Sequence, residues 1–211
     1  MTALNGLRVA VPRGALFGET LDLLDRLGVA TAEVRSNDRK LLFGDAGIVT
    51  MRPSDVPTYV EAGAADIGIT GKDVLVEQAE REVYELLDLG YGRCRMILAT
   101  VDGPDPSAEA LRRLGMVRVA TKYPKVAAAY FERTGRQAEI VEVKGSVELA
   151  PLTGLAEAIV DLTATGTTLR ENGLVEREMI FEATARLIAN PVSHKLKAEA
   201  IDGLLERVRA R

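Results

Sequence analysis

Ala158-Ile-Val-Asp-Leu-Thr-Ala-Thr-Gly-Thr-Thr-Leu169 is the stretch on which the architecture turns. Ala158, Ile159 and Val160 form an apolar run of strand character that stops at a single carboxylate, Asp161. The turn that follows, Thr163, Ala164, Thr165, Gly166, Thr167 and Thr168, has no bulky side chain, and a helix is expected from near Thr167. A buried strand that ends in a short loop and turns into a helix is the building block of an α/β sheet.

The same unit recurs on either side of it. Leu7-Arg-Val-Ala-Val11 reads as a buried strand, closed by Pro12 and Gly14. Leu16, Thr20, Leu23, Leu24 and Leu27 follow at helical spacing and stop at Gly28. Residues 31–47 are polar and read as one long loop. Ile48–Met51 is a second strand, Pro53-Ser-Asp-Val56 opens a helix ending near Gly63, and Asp66–Thr70 is a strand that runs into another helix. Strands continue at Cys94–Val101, Val117–Ala120 and Glu139–Val143, with a turn at Asp102-Gly-Pro-Asp-Pro106. Glu178–Ile188 is expected to be one strand. His194–Arg209 is expected to be one amphipathic helix, with Leu196, Ala200, Leu204, Leu205 and Val208 on its apolar face. Strands alternating with helices in this way indicate a parallel α/β sheet. Gly90-Tyr-Gly-Arg93 is a natural seam. A chain that crosses there and returns near residue 176 makes a lobe of 1–90 plus 177–211 and a second of 91–176, with strand ends facing a cleft.

Composition narrows the chemistry. In 211 residues, 27 Lys and Arg stand against 31 Asp and Glu, so a net charge of -4 offers no general attraction to nucleic acid. Cys94 is alone, which excludes an internal disulfide, and it reads as a small packing group. No apolar run approaches the roughly 20 residues of a membrane span. Met1–Gly6 shows no secretory pattern, so the cytoplasm is the expected location. Gly68-Ile-Thr-Gly71-Lys72 resembles a nucleotide loop, but Asp66 stands where its first glycine belongs and Asp73 replaces the Ser or Thr. His194 is the only histidine and is expected on the surface. One Cys and one His leave no soft-ligand zinc site, and no metal-ligating residues are assigned.

The loop after Asp161 has a chemistry of its own. A helix N-terminus carries unpaired N–H donors and partial positive charge, which suit a phosphate. A carboxylate at the strand end can accept hydrogen bonds from sugar hydroxyls. Capping a helix takes one hydroxyl, and this loop supplies four in six residues, so a ribose-phosphate site is the better reading.

At this level the chain resembles the short form of ATP phosphoribosyltransferase. The resemblance rests on Ser54-Asp-Val-Pro57, Ala65-Asp-Ile-Gly-Ile-Thr-Gly-Lys-Asp-Val-Leu75, Ala120-Thr-Lys-Tyr-Pro124, Gly145-Ser-Val-Glu-Leu-Ala-Pro151 and Asp161–Leu169, with Asn172-Gly-Leu174 following in register. It implies an α/β, two-lobed periplasmic-binding-protein-like fold with the active site in the inter-lobe cleft. It implies that adenine N1 of ATP attacks ribose C1 of phosphoribosyl pyrophosphate while Mg²⁺-bound pyrophosphate leaves, the first step of histidine biosynthesis. Thr163–Thr168 would hold the 5′-phosphate and Asp161 the ribose hydroxyls. Arg39 matches a family arginine that contacts pyrophosphate, and Arg13 and Arg52, each just after a strand, are the further catalytic candidates. One departure stands out: relatives commonly read Lys-Gly-Arg after the first strand, and here it is Arg13-Gly14-Ala15. Mg²⁺ would be carried by substrate phosphates. A short form is expected to dimerise and to need a partner resembling histidyl-tRNA synthetase, in place of a C-terminal regulatory domain. Two other classes compete: a non-catalytic anion-binding module of the same fold, and a transferase acting on another base. The latter usually has two adjacent acids before its loop, whereas Val160 precedes Asp161 here.

Overall fold

The computed structural model describes residues 4–210; residues 1–3, part of the stretch read for a leader, and residue 211 lie outside it. The chain forms two compact units. The stretches up to Gly92 and from Thr184 onward make the first, and Arg93–Ala183 makes the second. The chain therefore leaves the first unit right after the glycine pair of the seam. It returns at 183–184 and not near 176, because the strand that ends at Ala183 pairs along its whole length inside the second unit.

The first unit begins with β1 (Val9–Pro12), α1 (Phe17–Arg26), α2 (Ala32–Ser36), β2 (Leu42–Phe43), β3 (Ile48–Met51), α3 (Val56–Glu61), β4 (Ile67–Gly71), α4 (Lys72–Glu77) and β5 (Tyr84–Asp88). Every residue of β1 is buried, as its apolar sequence requires of a central strand. It pairs in parallel with β3, Val9 opposite Ile48 through Pro12 opposite Met51, and in parallel with β4. Helix α1 ends in a Schellman motif: the Gly28 and Val29 N–H groups donate to Asp25 and Leu24 carbonyls, and Gly28 has φ of 82°.

The polar stretch 31–47 is not one loop. Val34 stands alone among polar residues and Phe43 closes the short run Leu41-Leu42-Phe43, too little to show a period, yet Val34 and Phe43 are buried and anchor α2 and β2 to the core, while Leu41 and Leu42 stay exposed. Arg35 ties α2 to α1 through Asp22 at 2.6 Å and Asp25 at 2.7 Å.

The second unit holds β6 (Cys94–Val101), α5 (Pro106–Leu114), β7 (Val117–Thr121), α6 (Pro124–Arg133), β8 (Ala138–Glu142), α7 (Leu149–Leu152), β9 (Ala158–Thr163), α8 (Thr167–Glu171) and β10 (Leu174–Ala183). Its sheet runs β10-β6-β9-β7-β8. Strands β7, β8 and β9 are parallel, while β6 runs antiparallel to β9 and to β10. Both faces are covered. Met96, Leu98, Ala158 and Val160 pack beside residues of α5 and α6, and Ile97, Ala99 and Ile159 lie against Ala150 and Leu169 of α7 and α8.

The chain then completes the first unit with β11 (Ala185–Ala189), α9 (Pro191–Leu196) and α10 (Ala198–Arg209). The first sheet runs β2-β3-β1-β4-β11-β5, with β11 antiparallel to both neighbours. Both sheets are thus mixed, where strand–helix alternation alone indicated parallel ones. The apolar run Glu178–Ile188 is two strands, β10 and β11, which belong to different units and part at Thr184. Periodicity cannot register such a change of sheet. The expected last helix is also two. Ser193 Oγ and Lys197 Nζ both donate to Asp66, at 2.7 and 2.8 Å, and pin the break between α9 and α10. Leu196 is consequently 77% exposed, and Ile201, Leu204 and Leu205 form the buried face. His194 is half-buried, its ring edge-on to Tyr84. No helix among the described residues is long and apolar enough to cross a membrane.

Candidate active site

In the second unit Asp161 stands near the C-terminal end of β9, on the same face as Ile159, and the turn to α8 follows directly. Asp161, Leu162, Thr163, Ala164, Thr165, Thr167 and Thr168 line a cavity of about 200 Å³, closed by Glu148 and Leu169. Drug-sized ligands occupy clefts of roughly 300–1,000 Å³, so this volume suits a sugar-phosphate group. The loop is held by its own side chains. Gly166 N–H donates to Thr163 Oγ1 at 2.9 Å, and the Thr165 and Thr167 hydroxyls share a hydrogen bond of 2.9 Å. Gly166, not a threonine, caps α8, with φ of 72°. Arg170, one turn along that helix, reaches back to the Thr165 carbonyl at 3.0 Å and Thr167 Oγ1 at 3.1 Å. The loop thereby gains a fixed shape and a guanidinium.

Asp161 is nearly enclosed, its side chain 9% exposed. Leu162 N–H donates to its Oδ1 at 2.8 Å, and Lys122 Nζ stands 3.6 Å from its Oδ2. Parallel pairing of β7 with β9, Thr121 opposite Val160, sets residue 122 beside residue 161. Burial pushes the Asp161 carboxyl above its ordinary value and Glu148 adds to the push, while Lys122 and the Leu162 N–H oppose it. The result is an acceptor of raised basicity at the mouth of a hydroxyl-rich loop. Lys122, Glu148 and Arg170 were not among the residues singled out from the sequence. Lys122 and Glu148 lie inside the blocks 120–124 and 145–151, and Arg170 sits one helical turn after Gly166 and Thr167.

The arginines gather in the first unit. Arg13 and Arg52 follow the C-terminal ends of adjacent parallel strands, and Arg13 N–H donates to the Met51 carbonyl at 2.8 Å. The Arg13 guanidinium donates to Thr50 Oγ1 at 3.0 Å and to the carbonyls of Lys40 at 2.8 Å and Asn37 at 3.4 Å. It therefore fastens the segment that carries Arg39 over the end of β1. Arg39 and Arg52 are exposed, and neither guanidinium has a hydrogen bond or ion pair among the described residues. Arg13, Arg39 and Arg52 thus share one end of this sheet, with Arg13 doubling as a structural clamp.

Two larger hollows, of about 340 and 430 Å³, also lie in the first unit. The first is lined by Arg8, Gly47 and Asp66, at the opposite strand ends, and its Asp66 carboxylate is taken up by Lys197, Ser193 and the Arg8 N–H. The second is largely apolar. The nucleotide-loop lookalike is explained by packing: a Cβ on Gly68 would come within 2.6 Å of Val56 and 2.8 Å of Val60, so this glycine lets α3 press on β4.

Known proteins resemble this chain over nearly its whole length. A family model described as ATP phosphoribosyltransferase matches residues 52–210. An ATP phosphoribosyltransferase of Rubrobacter xylanophilus is 53% identical over 208 residues, covering 97% of this chain and 96% of that one. Among solved structures, the ATP phosphoribosyl transferase (HisG:HisZ) complex from Thermotoga maritima matches with a TM-score of 0.79 and 37% identity over 97% of each chain. The periplasmic aliphatic sulphonate binding protein SsuA from Escherichia coli matches at a TM-score of 0.61 and 12% identity, over 96% of this chain and 70% of that one. This last likeness shows a fold of the periplasmic-binding-protein type.

Proposed function

We propose how this chain, which belongs to the ATP phosphoribosyltransferase family, performs its reaction. The reaction joins adenine N1 of ATP to ribose C1 of phosphoribosyl pyrophosphate and releases pyrophosphate, the first step of histidine biosynthesis. A ring nitrogen is already a nucleophile, so neither Cys94 nor His194 is needed. The barrier lies in charge: pyrophosphate gains negative charge as the ribose becomes oxocarbenium-like.

In our reading Asp161 accepts hydrogen bonds from the ribose hydroxyls. Thr163, Ala164, Thr165, Gly166, Thr167 and Thr168 enclose the 5′-phosphate. Arg13, Arg39 and Arg52 bind the departing pyrophosphate, because guanidinium pairs with phosphate oxygens bidentately and stays charged. Cations preorganised where charge develops are a major source of catalysis. Mg²⁺ would be carried by the substrate phosphates and would offset their negative charge, with no protein ligand assigned to it. A single observation carries the reading: a nearly enclosed carboxylate beside a loop of threonines, in one cavity of sugar-phosphate size.

The Thermotoga relative is a complex of two proteins. We infer that this chain also works with a second protein, as a homodimer within a hetero-oligomer whose other subunit resembles histidyl-tRNA synthetase, in the cytoplasm. Titration of Asp161→Ala with phosphoribosyl pyrophosphate tests the site. Binding is expected to weaken at least tenfold, and an unaltered dissociation constant removes Asp161 from the role.

A further inference from the structure

We propose that Lys122 is a positioning residue that keeps the Asp161 carboxylate charged while leaving one of its oxygens open for the ribose hydroxyls. The inference rests on the reading that Asp161 binds those hydroxyls. Its Oδ1 is engaged by the Leu162 N–H at 2.8 Å. Its Oδ2 faces Lys122 Nζ at 3.6 Å, too far for a hydrogen bond but within the range where an opposite charge favours ionisation. Lys122 thus favours the ionised carboxylate without occupying the acceptor.

The surroundings single out this lysine. Glu148, which precedes α7 and lines the same cavity, acts on Asp161 in the opposite sense. Arg95, on the neighbouring strand β6, is paired with Glu176 at 2.8 Å and reaches the Ala164 carbonyl. Arg170 of α8 is engaged by Thr165 and Thr167. The remaining loop groups around Asp161 are uncharged hydroxyls and backbone. A protonated carboxyl could not accept charge-assisted bonds from two adjacent hydroxyls, whereas a carboxylate can. Lys122 is 41% exposed, so solvent screens its charge and its influence is smaller than that of a buried partner.

The test is binding of phosphoribosyl pyrophosphate to the full chain across about pH 5–9, for the native protein, Lys122→Met, Lys122→Gln, Lys122→Arg and Asp161→Asn. The substrate phosphates titrate near pH 6, so each profile is read as a difference from the native one in the same buffers. Lys122→Met and Lys122→Gln are expected to move the acid limb to higher pH and to regain native affinity at alkaline pH. Lys122→Arg should retain the native profile, and Asp161→Asn should bind weakly with no added pH dependence. Uniform weakening at every pH by the Met and Gln variants would make Lys122 a direct phosphate contact or a packing residue, and an unmoved profile would deny it any role; either overturns the inference while the Asp161 reading stands. Native binding by Asp161→Asn would remove both.

Discussion

Gly166→Ala tests how far the loop's shape, and not its composition alone, makes the site. Gly166 has φ of 72°, a region where an L-residue pays roughly 1–2 kcal/mol. A Cβ there would also stand 3.1 Å from Arg170 Nη1, the atom that donates to the Thr165 carbonyl at 3.0 Å. The guanidinium must retreat by a few tenths of an ångström, weakening that bond or its neighbour to Thr167 Oγ1. A hydrogen bond from a charged donor contributes about 1.5–3 kcal/mol, less on an exposed loop. Losing about 1–2 kcal/mol of preorganisation corresponds to a roughly 5- to 30-fold weaker affinity for phosphoribosyl pyrophosphate. Gly154 supplies the control, since it has φ of 75° and nothing within 4 Å of an added Cβ. Both Ala variants should lower the melting temperature by about 2–8 °C, but only Gly166→Ala should weaken binding in calorimetric titration. Equal dissociation constants for the two would show that the Arg170-braced shape of the loop is irrelevant to binding.

Three further outcomes follow from the first unit. Arg39→Ala should depress turnover by about 100-fold or more with an unchanged melting temperature, because the side chain is exposed and unpaired; native kinetics would remove it from catalysis. Arg13→Ala should lose turnover comparably and also speed proteolytic cleavage within 37–41, since its guanidinium holds the Lys40 and Asn37 carbonyls; unchanged cleavage would refute the clamp. Burial pushes the Asp66 carboxyl up, but Lys197, the Arg8 N–H and Ser193 outweigh it and hold the group below its ordinary value. A lowered folded-state value adds stability above about pH 4 that is lost as pH falls through it. Asp66→Asn should therefore cost about 1–3 kcal/mol at neutral pH and flatten acid unfolding below pH 4, and an identical acid limb in denaturant titrations would contradict this.

The sequence was most legible where one residue type dominates a short span. Buried apolar runs marked β1, β3, β4 and β9, and Gly28 marked the end of α1, because each answers to a local rule. Asp161 and the threonines could be assigned together because strand, loop and helix are contiguous in the chain. What escaped depends on contacts between distant residues. Lys122 meets Asp161 only through the register of β7 on β9. Arg13 gains its second task only when 37–40 folds over it. The split at Thr184 reflects which sheet each strand joins, and the break near Lys197 reflects its bond to Asp66, 131 residues away. An amphipathic pattern continues through both.

The most direct measurement is turnover itself. The purified chain is mixed with ATP, phosphoribosyl pyrophosphate and Mg²⁺, with pyrophosphatase to draw the reaction forward, alone and with the proposed histidyl-tRNA-synthetase-like partner. N1-(5-phosphoribosyl)-ATP is expected to form, faster with the partner present. Binding of phosphoribosyl pyrophosphate with no product in either run would mark a non-catalytic module that keeps the family's sugar-phosphate site.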